Sequence, residues 1–360
     1  MKKVCTVVGA RPQFIKLAMV SRILRQEFRE VLIHTGQHYD SNMSDIFFTE
    51  MGIPQPDYHL GIAGGSHGEM TGRMLIKIES VLIQEKPDLL LVFGDTNSTL
   101  AGALAAVKLH IPVCHVEAGN RLQSLENPEE VNRIVTDHVS SLQLACTASG
   151  VEFLRREGFS DSVHLVGDPM YDAFLWYSAR LDGTELDGLT DFDGRKISLP
   201  ERFYYMTCHR QENTGEKLEQ IFQAMEALDA PVIYPVHPRN QECARRLCRE
   251  NVILAFPVGY RTSISLVNRA EKIITDSGGL QREAFFAQKP CVTVFDYAAW
   301  PETMVNSCNQ LAKPDKTDIL EKLQKEAHFD CSYRPFGDGH AAERITAHIK
   351  QYLEKAGEPT

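Results

Sequence analysis

One local pattern, repeated along the chain, restricts the fold more than anything else in the sequence. A short apolar, β-branched run ends in glycine or a small polar residue, and a segment of good helix formers follows. Residues 4–8, 31–35, 89–93, 113–116, 142–146 and 163–166 are such runs. Strands that are apolar at nearly every position must be covered on both faces, which is the signature of a parallel sheet flanked by helices. The expectation is a doubly wound α/β domain over residues 1–170.

Residues 181–200 change character. Asp, Gly, Thr and Leu follow one another without a sustained period, and Pro200 closes the stretch. It reads as a domain connection or a surface excursion. The strand–helix alternation then resumes with residues 203–207, 232–236, 252–256, 272–275 and 291–295. A second domain of the same type is expected over 190–335, with a capped amphipathic helix over 340–356 packing back on the first domain. Residues 42–52 also read as helical. Two doubly wound, Rossmann-like domains facing a cleft would line it with strand C-termini, where open α/β sheets bind ligands.

Composition narrows the function classes. A net charge of −10 suggests no general affinity for nucleic acid or an anionic membrane surface, so an anionic ligand would need a local positive pocket. The sequence shows no signal peptide and no long apolar run. Nine cysteines are scattered singly, several within strand-like runs, and no CxxC pair occurs. That usage fits buried free thiols in a reducing cytoplasm.

The polar residues that follow strands divide by domain. The first supplies Arg11, Lys16, Gln37, His38, Asp95, Glu117 and Glu129; the second supplies His209, Arg210, His237, Arg239, Asp276, Ser277 and Glu283. Carboxylates gather in one half and phosphate-binding groups in the other. Ser277-Gly278-Gly279 lets backbone N–H groups point outward at the start of a helix, where the positive end of the helix dipole favours a phosphate. Glu283, one turn further, could accept from ribose hydroxyls. Each residue also has a purely structural reading. Asp95 could cap the helix beginning near Ser98. Glu129 and Glu130 could be first-turn partners of a helix dipole. His237-Pro238-Arg239 could be a turn, and Ser-Gly-Gly an ordinary strand–helix corner. Three carboxylates and two histidines at strand ends exceed what caps require, and neighbouring carboxylates separate one another's pKa values, which suits acid/base work.

Taken together, residues 9–16 (GARPQFIK), 94–98 (GDTNS), 115–119 (HVEAG), 128–133 (PEEVNR), 209–213 (HRQEN), 276–279 (DSGG) and 337–339 (GDG) resemble the non-hydrolysing UDP-N-acetylglucosamine 2-epimerase family. The resemblance runs from residue 4 to about 345. It implies a glycosyltransferase-B-like fold, no metal or nicotinamide cofactor, a UDP-sugar substrate and a homodimer. It implies inversion at C2 of a UDP-2-acetamido sugar by elimination of UDP to a 2-acetamidoglycal and re-addition. By the same resemblance Asp95, Glu117 and Glu129 match acid/base carboxylates, without a ranking among them. His209 matches a histidine near the leaving phosphate oxygen, Ser277 and Gly278 a phosphate cradle, Glu283 a ribose ligand, and Arg11 and Lys16 cleft cations. Gln37 and His38 fall where some members bind a second UDP-sugar.

The pattern is not complete. Asn120-Arg121-Leu122-Gln123 and the Phe295-to-Trp300 segment differ from the family's usual residues. Gln13-Phe14 and Trp300 lean towards a branch acting on UDP-2,3-diacetamido-glucuronate. Two other readings stay open at this level: a glycosyltransferase of the same fold, and a UDP-sugar-binding protein without catalysis.

Overall fold

The computed structural model describes residues 1–37, 48–248 and 250–356. It divides into two compact units, Met1–Leu175 with Arg334–Thr360, and Trp176–Tyr333. Residues 181–200 therefore belong to the second unit.

In the first unit seven strands form one parallel sheet: β1 (Lys3–Val8), β2 (Arg29–His34), β3 (Tyr58–His59), β4 (Leu89–Phe93), β5 (Val113–Val116), β6 (Leu142–Ala145) and β7 (Val163–Leu165), in the order β3-β2-β1-β4-β5-β6-β7. All five residues of β4 are buried, as helices on both faces require. One apolar layer joins Val7, Ile33 and Val92 of the sheet to Met74, Ile78 and Leu82 of the helix His67–Glu85. The reversal of strand order between β1 and β4 is a topological switch point, where the loops after both strands diverge and leave a crevice. The chain's last helix, Ala341–Lys355, packs on the helix Arg11–Glu27, and Lys350 pairs with Glu27 at 2.7 Å.

The second unit repeats the plan with β8 (Tyr204–Thr207), β9 (Val232–Pro235), β10 (Val252–Ala255), β11 (Ile273–Thr275), β12 (Cys291–Val294) and β13 (Asn309–Ala312), all parallel, in the order β10-β9-β8-β11-β12-β13. Its switch point lies between β8 and β11. Residues 190–191 are tied to this unit, since Phe256 N–H donates to Thr190 O and Asp191 bridges to Ala255. Both sheets share the all-parallel, doubly wound plan of the glycosyltransferase-B-like fold.

Two strands leave no signal in the sequence. β3 has only two residues, too few for a periodic pattern. β13 begins Asn309-Gln310 and looks polar, yet Asn309 is buried because its side chain accepts from Thr293 and donates to Thr303. A buried amide is tolerated when both ends are bonded. The helix expected over 42–52 lies partly outside the described residues, and of it residues 48–50 are helical. No helix among the described residues is long and apolar enough to cross a membrane.

Candidate active site

In the first unit, the chain leaving β1 turns directly into the helix Arg11–Glu27, and Gln13 braces the turn. Its side-chain oxygen accepts from Gly9 N–H at 2.8 Å and Ala10 N–H at 3.0 Å, and its amide donates to Phe93 O at 2.8 Å. One buried glutamine thus ties the exit of β1 to the exit of β4. Arg11 is half-buried at the mouth of this turn.

β4 ends in Gly94, whose φ of +63° suits glycine. A Cβ there would stand 3.5 Å from Lys16 Nζ and 3.6 Å from Glu117 Oε1, so both charged groups lie against this turn, and it is the positive φ that calls for glycine. Lys16 and Glu117 form a salt bridge with side chains 3% and 7% exposed. Lys16, expected as a cleft cation, is buried and is the counter-charge of Glu117. Glu117 itself has φ +71°, a left-handed conformation that is strained for a glutamate and that persists only when its surroundings hold it.

Asp95 does not cap the helix Asn97–Lys108. Thr96 does, accepting from Thr99 N–H. The Asp95 carboxylate, with its side chain 26% exposed, pairs instead with the buried Arg133, which also pairs with Glu130. Burial opposes the charge on Arg133, and Asp95 and Glu130 outweigh it and keep the guanidinium charged. Glu130 further accepts from Leu122 N–H and Gln123 N–H, both at 2.9 Å. Glu129, its neighbour in the first turn of the helix Pro128–Val139, is exposed. Of the two adjacent glutamates, the buried structural one is Glu130.

Beneath the turn, His115 donates from Nε2 to Gly94 O at 2.6 Å and presents Nδ1 to Asp137 at 2.7 Å. Burial pushes the Asp137 carboxyl up, but His115 and Arg121 outweigh it and hold it below the ordinary carboxylate range. Arg121 reaches Asp137 and Glu157, both at 2.7 Å. These residues brace the Gly94-Asp95 corner.

Glu117, Cys146 and Asp168 bring one side-chain oxygen or sulfur each within 4.8 Å of one another. Of this group, Glu117 is paired with the Lys16 ammonium.

The Gln37 side chain accepts from Ser98 N–H at 3.0 Å and Ser98 Oγ at 2.7 Å, so it ties the end of β2 to the start of the helix after β4. His38 lies outside the described residues.

In the second unit, the loops after β8 and β11 meet at one carboxylate. Asp276 is buried and accepts from His209 N–H at 3.0 Å, from Arg210 N–H at 2.9 Å, and from Asn213 Nδ2 at 3.3 Å. Its other oxygen stands 3.2 Å from His209 Nδ1. Burial raises its pKa, but the His209 ring and the backbone donors lower it further, to about 2. His209 is consequently fixed by one face while its side chain remains 42% exposed. Arg210 donates from Nε to Asp276 O at 2.9 Å and lies 4.2 Å over the Phe295 ring.

Ser277 caps the helix Gly278–Phe286 through Leu280 N–H. A Cβ at Gly278 would stand 3.3 Å from Ala299 Cβ, so a larger residue must displace its neighbour. A small pocket here is lined by Arg210, Asp276, Gly278, Phe295 and Tyr297. Glu283 is buried one turn into the helix. His237 is exposed, its Nδ1 accepting from Arg239 N–H at 3.3 Å, and Arg239 reaches His209 O at 3.2 Å. The turn reading of His237-Pro238-Arg239 holds for its backbone, and it also stands beside His209, with ring centres 6.2 Å apart.

Reasoning from strand ends alone passes over Arg133, Glu130, His115, Asp137 and Asp168. Usable signals exist for some of them: a histidine inside a buried strand, and an arginine three residues after a glutamate on one helix face.

Comparison with known proteins shows the family. The profile of the family described as UDP-N-acetylglucosamine 2-epimerase matches residues 22–350. The chain is 46% identical over 354 residues to a protein of Methanococcus maripaludis named UDP-N-acetylglucosamine 2-epimerase homolog, covering 95% of this chain and 98% of that one. It is 44% identical to the UDP-2,3-diacetamido-2,3-dideoxy-D-glucuronate 2-epimerase of Pseudomonas aeruginosa, covering 96% and 99%. The crystal structure of the Methanocaldococcus jannaschii UDP-GlcNAc 2-epimerase in complex with UDP-GlcNAc and UDP superposes with a TM-score of 0.87 at 37% identity, covering 97% and 99%.

Proposed function

The chain belongs to the UDP-N-acetylglucosamine 2-epimerase family, and from that premise we propose how its residues divide the work of inverting C2 of a UDP-2-acetamido sugar. The enzyme is a non-hydrolysing isomerase. The observation that carries the division is the buried charge at the first unit's switch point, Glu117 on Lys16 and Asp95 on Arg133.

A carboxylate of the first unit, Asp95 or Glu117, removes the C2 proton. The C2–H electrons form the C1=C2 bond as the C1–O bond to UDP breaks. UDP then returns to C1 and a proton is delivered to the opposite face of C2. The buried cations hold the carboxylates in place, which a group that must take and give a proton at a fixed point requires. Glu129, exposed at a helix start, is the third candidate, and its exposure suits contact with solvent. Arg11 meets the substrate's charge.

The second unit holds the nucleotide. Ser277, Gly278 and Gly279 offer N–H groups at a helix N-terminus to the diphosphate. His209 and Arg210, aligned by Asp276, stabilise the negative charge on the departing oxygen. His237 lies at its edge, and Glu283 serves the ribose. Gln37 is read as a brace for the helix after β4 rather than as part of a second UDP-sugar site.

The sugar we propose is the 2,3-diacetamido-glucuronate, supported by Gln13-Phe14, Trp300 and the 44% identity to the Pseudomonas enzyme; UDP-N-acetylglucosamine is the second reading, supported by the 46% identity to the Methanococcus homolog and the likeness to the Methanocaldococcus structure. Proton NMR in heavy water with both sugars tests this. The expected result is a C2 epimer carrying deuterium, formed at least about tenfold faster from the uronate. Faster turnover of UDP-N-acetylglucosamine reverses the choice of sugar, and release of free sugar and UDP without an epimer overturns the isomerase reading. All nine cysteines are free thiols, which supports a cytoplasmic protein. A homodimer is proposed, to be measured by light scattering.

A further inference from the structure

The segment after β12, Phe295 to Trp300, departs from the family's usual residues. In the fold it lies against the start of the helix Gly278–Phe286. A Cβ at Gly278 would stand 3.3 Å from Ala299 Cβ and 3.7 Å from Trp300 Nε1. Arg282, one turn into that helix, lies 4.0 Å over the Trp300 ring, and the Gln281 amide donates to Thr303 Oγ1 at 2.8 Å and to Trp300 O at 3.3 Å. The segment is thereby tied to the helix whose N-terminus is the proposed phosphate cradle.

Its aromatic residues hold one side chain from another loop. Arg210, after β8, lies 4.2 Å over the Phe295 ring and 6.0 Å over the Tyr297 ring. Those two rings meet edge to face, with centres 4.5 Å apart. Arg210 donates from Nη1 to Tyr297 Oη at 3.3 Å and from Nε to Asp276 O at 2.9 Å, and its backbone N–H donates to the Asp276 carboxylate at 2.9 Å. The guanidinium is therefore held by its face and at two of its nitrogens, by the loops after β11 and β12. Nη2 makes no hydrogen bond to a described residue. Arg210 and Tyr297 line the same small pocket as Gly278. An arginine lying on one ring is an ordinary surface contact. An arginine fixed on several sides, with one edge left over beside a helix N-terminus, is a donor set in place before its ligand arrives.

We propose that Tyr297 is a positioning residue for the loss of UDP: its hydroxyl accepts from Arg210 and sets the guanidinium against the phosphate oxygen that leaves C1. This rests on the reading of Arg210 as a stabiliser of that oxygen. When the C1–O bond breaks, its electron pair stays on the phosphate oxygen, and the nucleotide gains one negative charge. A guanidinium already in place meets the new charge without reorganising. Tyr297 thus acts on the states in which that charge has developed, the transition state and bound UDP, and much less on the intact UDP-sugar.

Tyr297→Phe keeps the ring against Phe295 and removes only the hydroxyl. Tyr297 is half-buried in a loop and the substitution leaves no cavity, so the variant should fold with an unchanged melting temperature. The expected result is a turnover number for C2 epimerisation about fivefold to tenfold below the parent's, with KM for the UDP-sugar within about twofold. UDP affinity, read by calorimetry, should weaken by about fivefold. A merely loosened loop would weaken UDP and the UDP-sugar alike. Turnover and UDP affinity both equal to the parent's overturn the proposal, and so does an equal loss of affinity for UDP and the UDP-sugar. Arg210→Met, measured alongside, separates the two levels. Parent turnover in it removes the reading of Arg210, and the role of Tyr297 with it. Reduced turnover in Arg210→Met with parent behaviour in Tyr297→Phe keeps the first and removes the second. In the double variant, Tyr297→Phe should lower turnover by less than about twofold beyond Arg210→Met, because the hydroxyl acts through the guanidinium. Effects that multiply in full show that Tyr297 acts on its own, and overturn the proposal.

Discussion

The two switch points of this enzyme have the same strand order and opposite chemistry. At the first, between β1 and β4, full charges are buried in pairs: Lys16 on Glu117, Arg133 on Asp95 and Glu130, Arg121 on Asp137. At the second, between β8 and β11, the buried carboxylate of Asp276 collects backbone and side-chain N–H groups and leaves His209 partly exposed. We propose that the first moves a proton away from solvent and that the second presents donors to an anion. The fold thus supplies only the crevice. The sign and burial of the residues after each strand decide what the crevice does.

The largest expected effect breaks the first region. Arg133→Met leaves Asp95 and Glu130 without their shared cation, and removing one partner of a buried ion pair costs on the order of 3–5 kcal/mol. Urea unfolding of the variant at pH 7 should show that loss. A change below about 1 kcal/mol would mean the pairing is solvent-screened and the contrast between the two regions is overdrawn.

Next come two buried aspartates with opposite pH behaviour. Asp172, in the first unit, has its pKa raised by burial from 3.8 to about 6, with the N–H groups of Ala342 and Ala341 only partly opposing this. A raised acid contributes stability that is fully present below the unfolded value and is lost as pH rises through the folded value. The parent should therefore lose about 3 kcal/mol between pH 4 and pH 7 from this residue, and Asp172→Asn should remove that slope. Asp276, in the second unit, is depressed to about 2. Its contribution is present above the unfolded value and lost as pH falls through the folded one. The parent should lose about 2 kcal/mol as pH drops from about 4 to 2, and Asp276→Asn should be flatter there. Melting curves across pH check both. The same slope in each variant as in the parent would show that these carboxyls are not distinguished by their surroundings.

The smallest effect concerns the cradle. Ser277→Ala with Gly278→Val should weaken UDP binding by about 1.5 kcal/mol, since the hydroxyl is lost and the new side chain presses on Ala299. Calorimetry on the folded variant reads it, and an unchanged affinity places the diphosphate elsewhere.

Much of this layout is legible in the sequence itself. Strands covered on both faces show as apolar runs, and the residue just past each run is where the ligand-binding loops begin, which brings out Asp95, Glu117, His209 and Ser277. What stays hidden depends on contacts across the sheet. Lys16 reads as a cleft cation, and its burial as the counter-charge of Glu117 shows only once the strand β5 is placed beside β4. Glu129 and Glu130 are adjacent and alike in sequence. Helix phase alone turns one outward and the other towards Arg133. Asp168 looks like a turn residue before proline until β7 is placed beside β6. Asn309 conceals a strand because its partners, Thr293 and Thr303, lie on other elements.

The division of labour between the units is tested most directly by reading proton exchange and nucleotide binding on the same variants. Asp95→Asn and Glu117→Gln keep shape and hydrogen-bonding reach but cannot cycle a proton. Each should reduce C2 deuterium incorporation in heavy water by roughly a hundredfold or more, with UDP affinity kept within about threefold, below about 0.7 kcal/mol. Exchange at the parent rate in both variants, or loss of UDP binding in step with loss of exchange, would contradict that division.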